Sequence, residues 1–578
     1  MNRRLQHASR LLVILLGVLC LLLPPAAAGA AVPGSGQVEE DLAEEDRPEK
    51  PWRDDQGALE KLQRAAFLYM WEYCDPDSGM AAEANFDWGV RPAAVGGSGF
   101  GVAAVVVATE RGWITREEAL DRLLTITRFL RDKTPRHELH GAFPHWLNGK
   151  TGAVIKFGDK DVGADLVETS LLMQGLLIAR AYFNGPGSEA ELRAIITGLW
   201  EDVDWNWFTA GQESGLFWHW STEHGHSGLK ILGYNECLIT YVLAMASPTH
   251  PISRQAYDYW TSGDGYKPKN VYGYTVEAAL PGAGPLFLTH YSFIGLDPRR
   301  MADEFVPGGY FARNMKQVLG NRGYCLQNAP ARNRYGEGYW GLTASQVKTG
   351  YAAGEPLKDS GTVAPTAALS SMPYTPHYAM QVLEFILEGA AIPAEEAKDG
   401  SEAALRRQLW GPYGPHDAYS LRDKWVSSGY LAIDQLPMVC MVENYRSGLL
   451  WNLLMADPDI RNGLARAGIH EPVFATGFPE AVVTLKKNGK KYEPDAYDIR
   501  RHPDTGLYVI PYWVSRATAA KLTLTDDAGA MEQLWDISVP EGRNYLSIAR
   551  FEEADGAVFT LTLTTAEGEE AALPVRFN

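Results

Sequence analysis

The sequence predicts a mainly α-helical domain over residues 58–470, followed by a small C-terminal β-sandwich over residues 471–578. The first observation is that apolar residues recur at the i, i+3, i+4 and i+7 spacing of buried helix faces up to about residue 469. The second is that the sequence then changes to short alternating runs separated by Gly, Asp and Asn turns. Such alternation, over about 100 residues, is typical of an Ig-like sandwich.

Composition and charge indicate a globular protein and leave neutral or cationic ligands open. The 578 residues are 46% hydrophobic and 21% charged, which is enough to bury a large core. The net charge of −18 repels phosphate backbones and anionic lipids, so nucleic acid and membrane surfaces are poor partners. The cysteines are widely spaced without a CxxC pair, which excludes zinc ribbons and a dense disulfide framework but leaves one or two disulfides or free thiols open.

The N-terminus predicts export. Three arginines precede an unbroken apolar run, Leu11–Leu23, and small residues follow at Ala26–Ala30. The run is shorter than the roughly 20 residues that span a bilayer, and the small residues suit signal peptidase. We expect a cleaved signal peptide over residues 1–30 and a periplasmic or secreted protein, with lipid anchoring at Cys20 as the alternative. The acid-rich residues 31–57 predict a solvated linker.

Helix boundaries follow from periodicity and from capping residues. Thr115 with Glu118, and Ser188 with Glu191, each match the capping box that begins a helix. The predicted helices are Ala58–Cys74, Gly101–Arg111, Arg116–Lys133, Asp165–Phe183, Ser188–Val203, Asn235–Ala246, Pro376–Leu387 and Tyr445–Ala456. The predicted C-terminal strands are Ala481–Leu485, Leu507–Trp513, Lys521–Thr525, Tyr545–Phe551, Val558–Leu563 and Leu573–Phe577.

Long loops rich in Trp, Tyr, His, Asp and Gly separate the helices, and loops of that length inside a compact domain are usually functional. They are Phe143–Val162, Ala210–Gly233, Asn328–Pro365 and Trp410–Pro437. Aromatic faces stack on sugar rings, so these loops suggest a carbohydrate ligand, although core packing is the alternative for many of the tryptophans.

The first acidic segment enters an apolar helix. Asp161, Asp165 and Glu168 are spaced by four and three residues, which puts their side chains on one helical face. Like charges so placed raise at least one carboxyl pKa unless something compensates, and a raised pKa suits a general acid. The alternative is that the two aspartates favour the positive helix N-terminus while Glu168 is solvated.

The second segment contains Glu236, which directly precedes a strongly apolar helix and follows Tyr234 and Asn235. Burial there would raise the pKa of Glu236 and keep the carboxyl protonated near neutrality. The alternative is that Glu236 satisfies backbone N–H groups at the start of the helix.

The third segment contains Asp434 and Glu443, two acidic residues that interrupt apolar stretches of sequence. Because Arg446 lies within helical reach of Glu443, a structural ion pair is the alternative to a functional role. No nucleophile, nucleotide or EF-hand motif stands in a suitable context, and apart from His224 and His226 the histidines lack paired ligand spacing. No metal site is therefore predicted.

Five ordered segments together carry a resemblance: Asp161–Gly175, Tyr234–Ile252, Trp340–Ser345, Thr362–Pro376 and Gly429–Leu449. They resemble the bacterial glucoamylase-like family that contains the endo-β-1,2-glucanases, glycoside hydrolase family 144. The similarity runs from about residue 58 to 469. It implies an (α/α)6 toroid with the substrate cleft at one end, and hydrolysis of β-1,2-linked glucans without a cofactor.

The resemblance also implies which acids matter. The acidic positions of the family fall on Asp161, Asp165 and Glu236, with Asp434 as a fourth candidate. Glu168 departs from the family pattern, since some relatives have Asp there. The β-rich segment after Glu471 lies outside the family core.

We therefore expect an exported, monomeric glycoside hydrolase that cleaves β-1,2-glucan or its oligosaccharides. Glu236 would protonate the leaving oxygen while Asp161, Asp165 or Asp434 activates water, with inversion. The alternatives are an α-glucan hydrolase of the same fold and a non-catalytic glycan-binding protein. The expected substrate-binding residues are His145, Trp146, Trp218, Tyr234, Trp340, Tyr374, Glu443 and Tyr445.

Overall fold

The computed structural model describes residues 55–86, 91–212, 214–226 and 229–471, and separate segments between 485 and 577. The predicted signal peptide and nearly all of the predicted linker lie outside the described residues. No helix of the described part combines the length and the apolar character that crossing a membrane requires. The cysteines of this part carry free thiols.

The described part up to residue 471 is mainly helical, with short two- to four-residue strands between the helices. Its helices are α1 (Asp55–Glu72), α2 (Val95–Glu110), α3 (Arg116–Asp132), α4 (Leu166–Tyr182), α5 (Ser188–Glu201), α6 (Leu238–Ala246), α7 (Arg254–Thr261), α8 (Tyr310–Gly323), α9 (Pro365–Ser370), α10 (Pro376–Ala391), α11 (Glu402–Arg407), α12 (Ala432–Arg446), α13 (Leu449–Met455) and α14 (Pro458–Arg466). The strands are β1 (Ala93–Ala94), β2 (Trp146–Leu147), β3 (Val154–Ile155), β4 (Ala164–Asp165), β5 (His219–Trp220), β6 (Lys269–Val271), β7 (Tyr274–Val276), β8 (Ala344–Val347), β9 (Gly350–Ala353), β10 (Trp410–Gly411), β11 (Gly414–Pro415), β12 (Tyr419–Ser420) and β13 (Trp425–Val426).

Two N-terminal caps were predicted from the sequence, and one is confirmed. The Thr115 side chain accepts a hydrogen bond from the Glu118 N–H, and Glu118 bonds back to the Thr115 N–H, which completes the capping box of α3. The Ser188 cap is wrong. The cap residue of α5 is Gly187, whose φ of 68° is a left-handed conformation that glycine adopts at little cost.

Helix α12 is the main element that the sequence pattern missed. It runs through Pro437, which the sequence placed at the end of a loop because proline normally interrupts a helix. The predicted helix Tyr445–Ala456 is divided: α12 ends at Arg446, Gly448 adopts a φ of 70°, and α13 follows. This correction matters for function because Asp434 lies in the first turn of α12.

Helices α2 and α4 pack unusually closely. Gly99 faces the backbone of Leu171, and Gly175 faces the carbonyl oxygen of Gly99, so a Cβ at either glycine would collide with the facing helix. Every residue of α2 from Val95 to Ala108 is buried. Small residues therefore allow α2 to lie at the centre of the helical part, with α4 against it.

The central helices form a closed circuit and begin at a common end. Helix α2 packs against α4 and α12, α4 packs against α6, and the turn Ser292–Ile294 contacts both α6 and α12. At the start of α2, the Gly96 N–H donates to Glu168 in the first turn of α4 at 2.7 Å. At the start of α12, the Ala432 N–H donates to the Glu83 carbonyl at 2.9 Å. Side chains near these N-termini therefore converge.

The described segments after residue 485 are strands: β14 (Leu485–Lys487), β15 (Lys490–Tyr492), β16 (Tyr497–Ile499), β17 (Leu507–Val514), β18 (Thr518–Thr525), β19 (Met531–Val539), β20 (Gly542–Ala549), β21 (Val558–Thr565) and β22 (Glu570–Phe577). One sheet has the order β16-β22-β21-β18-β19, and β17 pairs with β20. The predicted strands beginning near residues 507, 521, 545, 558 and 573 are confirmed, whereas 481–484 lie outside the described residues. The packing of these sheets into a sandwich stays a prediction.

Candidate active site

Acidic side chains gather at the end where the central helices begin. Asp165 and Glu168 open α4, Glu236 precedes α6, and Asp434 opens α12. Each lies within electrostatic reach of another member: Glu236 of Asp165, Glu168 of Asp165, and Asp434 of a further glutamate, Glu83. The structure therefore brings together three of the four predicted catalytic residues, and Asp161 joins them through two histidines.

Asp165 is held as an ionised carboxylate. Its Oδ1 accepts the N–H groups of Val167 and Glu168 at 2.9 and 3.0 Å, so it is the N-cap of α4. Its Oδ2 accepts the Trp218 Nε1–H at 3.2 Å and lies 3.2 and 3.4 Å from ring nitrogens of His145 and His219. Burial alone would raise the pKa of Asp165, but hydrogen bonds from the two histidines lower it below its ordinary value.

Three backbone segments meet to make this arrangement. The Asp165 N–H donates to the Phe143 carbonyl at 2.8 Å, and strand β4 pairs with β5 so that Asp165 lies opposite His219. His145 follows Phe143 closely in sequence, and His219 and Trp218 lie on or beside β5. Both histidines therefore come from the loops that the sequence predicted to be functional, although the distance along the chain hid their convergence.

Asp161 shares the same two histidines. Its Oδ2 is buried and lies 3.2 Å from His145 Nδ1 and 3.5 Å from His219 Nε2. Burial would lower the pKa of His145, but Glu168 and the two aspartates raise it well above the ordinary value. The charged imidazole of His145 offsets the repulsion between the carboxylates of Asp161 and Asp165 that the sequence spacing predicted.

The donor atoms of His145, Asp161 and Asp165 lie within 4.8 Å of one another, and such a set can bind a metal ion. The sequence spacing did not indicate this grouping, so the expected absence of a metal stays a prediction.

Burial favours the protonated forms of Glu168 and Glu236. Burial raises the pKa of Glu168 to about 8, and Asp165 contributes further. Burial raises the pKa of Glu236 to about 7, with Asp165 again contributing. The predicted upward shift at Glu236 is confirmed, and the shift expected within the first acidic segment falls on Glu168. Ser292 fixes the Glu236 backbone, because its hydroxyl donates to the Glu236 carbonyl and accepts the Ile239 N–H at 3.0 Å.

Asp434 has a buried carboxyl partner that the sequence did not identify. Asp417, with 0% exposure, lies between β11 and β12 and hydrogen-bonds to Asp434, which is 5% exposed. Burial raises the pKa of both groups, to about 6 for Asp417 and well above the ordinary value for Asp434. Glu83 was also missed. Burial raises its pKa, and Trp146 hydrogen-bonds to its carboxyl.

Three of the predicted substrate-binding residues lie beside the carboxyl cluster. His145 contacts Asp161 and Asp165, Trp218 donates to Asp165, and Trp146 bonds to Glu83. The rings of His145 and Trp218 are half-buried, whereas Trp146 is only 8% exposed. These side chains orient the acids as well as border the site.

Three other predicted substrate-binding residues belong to the hydrophobic core. Tyr234, Trp340 and Tyr374 are 2% exposed or less. The Arg313 guanidinium lies 3.8 Å from the centre of the Tyr234 ring, and the Tyr374 hydroxyl donates to the Thr289 carbonyl at 2.9 Å. The prediction that these rings contact a sugar is corrected: they are enclosed by protein. Aromatic residue type alone could not distinguish the two environments.

Glu443 and Tyr445 lie at the other end of α12, nine and eleven residues after Asp434, which is about 14 and 17 Å along the helix axis at about 1.5 Å per residue. Glu443 is buried and accepts two hydrogen bonds from Arg111, at 2.8 and 2.9 Å. The ion pair between Glu443 and Arg446 does not form, because Arg446 donates to Glu60 at 2.8 Å instead. Glu443 therefore forms a structural ion pair with Arg111, which corrects its assignment as a substrate-binding residue. Tyr445 lies at the same helix end, far from the carboxyl cluster.

The chain is similar to several known proteins. The family model described as "Putative glucoamylase" matches residues 228–458. An exo beta-1,2-glucooligosaccharide sophorohydrolase of Parabacteroides distasonis is 40% identical over 437 residues, which is 71% of this chain and 58% of that protein. The chain thus spans little more than half the length of this curated relative.

Two solved structures extend the comparison. An endo-beta-1,2-glucanase from Chitinophaga pinensis is 42% identical, with a TM-score of 0.66 over 72% of this chain and 99% of that one. A beta-1,2-glucanase from Parabacteroides distasonis is 39% identical, with a TM-score of 0.65 over 72% of this chain and 60% of that one. The chain belongs to the glucoamylase-like family that contains the endo-β-1,2-glucanases.

Proposed function

We propose that the protein is a glycoside hydrolase that cleaves β-1,2-linked glucan or its oligosaccharides. One observation supports this most strongly: burial raises the pKa of Glu236 to about 7, and this carboxyl lies at the end of the central helices where Asp161, Asp165 and Asp434 also gather. Carboxyl groups whose environments push their pKa values apart are the pattern of acid and base catalysis. The names of the relatives support the β-1,2 linkage, and a neutral glucan suits a chain of net charge −18.

In this proposal the fold is an (α/α)6 toroid whose cleft opens where α2, α4, α6 and α12 begin. The closed packing of these helices supports it. The C-terminal strands would form an accessory β-sandwich beside the toroid. Residues 1–30 would direct export and be removed, which N-terminal sequencing of the periplasmic or secreted protein tests.

The acid is Glu236. It donates its proton to the glycosidic oxygen as the bond breaks, because a leaving sugar alkoxide is a poor leaving group without protonation. Its pKa of about 7 keeps a large fraction protonated near neutral pH.

The base is a carboxylate on the opposite face of the sugar that takes a proton from water, which inverts the anomeric centre. Asp165 suits this role poorly, since its lowered pKa makes it a weak base and both of its oxygens already accept hydrogen bonds. Asp161 and Asp434 remain as candidates. His145 and Trp218 would border the bound sugar in either case.

The test is release of reducing sugar by the purified protein from a panel of β-1,2-, β-1,3-, β-1,4- and α-1,4-linked glucans. We expect release from β-1,2-glucan at a rate well above that from the other linkages. Release from α-1,4-glucan alone would establish the α-glucan alternative. Binding to a glucan without hydrolysis of any of them would establish a glycan-binding protein.

A further inference from the structure

Asp417 and Asp434 form a buried carboxyl pair, in which each side chain has one oxygen atom without another hydrogen-bonding partner. Asp417 Oδ1 and Asp434 Oδ2 are buried, and neither has a hydrogen-bonding partner outside the pair. The two side chains hydrogen-bond to each other. Carboxylate oxygens only accept hydrogen bonds, so one of the two carboxyls must carry a proton for this contact to form.

The surroundings place that proton on Asp434. Asp417 Oδ2 accepts the Gln346 backbone N–H at 2.7 Å, which stabilises negative charge on Asp417. Asp434 Oδ1 has only the Tyr291 hydroxyl, at a long 3.5 Å. The arrangement is therefore Asp434 Oδ2–H donating to Asp417 Oδ1, with Asp434 Oδ1 left as a weakly occupied acceptor.

The Asp417 side of the pair is built into the fold. Gln346 lies on β8, opposite Tyr351 of β9, and its side-chain oxygen accepts the Ser427 hydroxyl. This hairpin fixes Asp417 from one side, while α12 presents Asp434 from the other. Asp434 borders a small pocket that His290, Tyr291, Thr343 and Thr366 also line.

The described titratable groups that face the pair are a histidine, two tyrosines and two glutamates. Burial lowers the pKa of His290 to about 3, so this imidazole is uncharged. Burial raises the pKa values of Tyr291 and Tyr351 well above the ordinary value, so both phenols stay protonated. Burial likewise raises the pKa values of Glu83 and Glu168, and that of Glu168 reaches about 8.

We propose that Asp417 is a positioning residue for hydrolysis, acting through Asp434 so that the pair together accepts the proton of the attacking water. The inference rests on the proposed function and settles its open choice of base in favour of Asp434. Two carboxyls that share one proton act as such a unit in aspartic proteases.

The step balances in protons and electron pairs. As the water oxygen bonds to the anomeric carbon, one water proton moves to Asp434 Oδ1, and the proton on Asp434 Oδ2 moves to Asp417 Oδ1. The glycosidic C–O bond breaks, and its oxygen takes the proton of Glu236. The step therefore begins with Asp417 ionised and ends with Glu236 ionised, and exchange with solvent restores both groups.

If protons pass along this relay, the dependence of activity on pH should reflect the titration of Asp417. Protonation of Asp417, with its pKa of about 6, would remove the charge that receives the proton, so activity would fall on the acidic side near that pH. In Asp417→Asn the second carboxyl is absent and Asp434 titrates alone. Burial, the largest cause of the raised Asp434 pKa, persists in this variant, and Asp434 lacks the backbone N–H that lowers the pKa of Asp417, so the acidic limb should move to higher pH.

The experiment measures kcat/KM against pH on a β-1,2-linked oligosaccharide for wild type, Asp417→Asn and Asp423→Asn. Asp423 is a matched control, because it lies six residues after Asp417, in the turn between β12 and β13, and pairs with Arg422 instead. We expect the acidic limb of Asp417→Asn to move up by about one pH unit or more, with about a tenfold or greater loss of kcat at neutral pH. The control should keep the wild-type profile. An unmoved acidic limb in Asp417→Asn would overturn the proposal.

Infrared difference spectroscopy tests the shared proton without using activity. Wild type minus Asp434→Asn at neutral pH should show the C=O stretch of a protonated carboxyl. Absence of that band would overturn the proposal even if Asp417→Asn failed to fold. A wild-type protein that is inactive on β-1,2-glucan but shows the band would instead contradict the proposed function and leave the carboxyl pair established.

Discussion

Nδ1 of His145 lies 3.2 Å from Oδ2 of Asp165, and the same nitrogen lies 3.2 Å from Oδ2 of Asp161. One imidazolium thus lies between two carboxylates before the start of α4 and offsets part of their mutual repulsion. Because the compensation is electrostatic, it makes stability depend on pH.

The first prediction concerns that dependence. The pKa of Asp165 is lowered in the folded protein, so its contribution to stability is present above its unfolded pKa of about 3.9 and is lost as pH falls through the folded pKa. The pKa of His145 is raised, so its contribution is present below about 6.5 and is lost as pH rises through the folded pKa. Asp165→Asn should therefore reduce the free energy of unfolding most between about pH 4 and 6.5. Urea denaturation across pH checks this, and a reduction that is the same at every pH would contradict it.

The second prediction concerns the ion pair at the opposite end of the helical part. Arg111→Met leaves Glu443, whose side chain is 1% exposed, as a buried charge without its cation. We expect a loss of about 3–5 kcal/mol in the free energy of unfolding, with kcat of the folded protein unchanged. Urea denaturation and initial rates measure both. Arg131→Met is the control, because its exposed pair with Asp132 should contribute at most about 1 kcal/mol. Equal effects of the two substitutions would refute the structural role of Glu443.

The third prediction concerns stereochemistry. If an acid and a base about 6.5–9.5 Å apart admit a water between base and sugar, hydrolysis inverts the anomeric centre and the first product is the α-anomer. Proton NMR during the first minutes of hydrolysis detects it. A β-anomer formed first would indicate a retaining mechanism and would remove the aspartates from the role of base.

The fourth prediction concerns the strands after residue 471. Their apolar runs predict a unit that stabilises the helical part rather than one that binds sugar, since only Trp513 and Trp535 of the tryptophans lie there. Truncation after His470 should lower the melting temperature while the rate per folded molecule on short oligosaccharides stays largely the same. A truncated protein that melts normally but loses activity on long glucan would identify a binding module instead.

Local sequence patterns were sufficient for most helices. The periodicity that predicted Arg116–Lys133 and Asp165–Phe183 matches α3 and α4 within a residue at each end. Helix α12 was hidden because Pro437 breaks the pattern, although burial on several sides evidently outweighs the lost backbone hydrogen bond.

The residues of the candidate site also differ in whether local sequence could identify them. Glu236 and the Asp161–Asp165 spacing stand out locally, since carboxylates beside apolar helices are costly to bury. Asp417, Glu83 and His219 were missed because each reaches the cluster through strand and loop contacts between distant parts of the chain. No periodicity records such contacts.

The rate of β-1,2-glucan hydrolysis by Glu236→Gln tests the central claim most directly. Glutamine keeps the shape of the side chain but has no proton to give to the leaving oxygen. We predict a loss of about 10²–10⁴ in kcat with the fold intact, and disappearance of the alkaline limb near the Glu236 pKa of about 7. Glu117→Gln, at an exposed position of α3, should behave like wild type. Activity of Glu236→Gln within a few-fold of wild type would contradict the assignment of Glu236 as the acid.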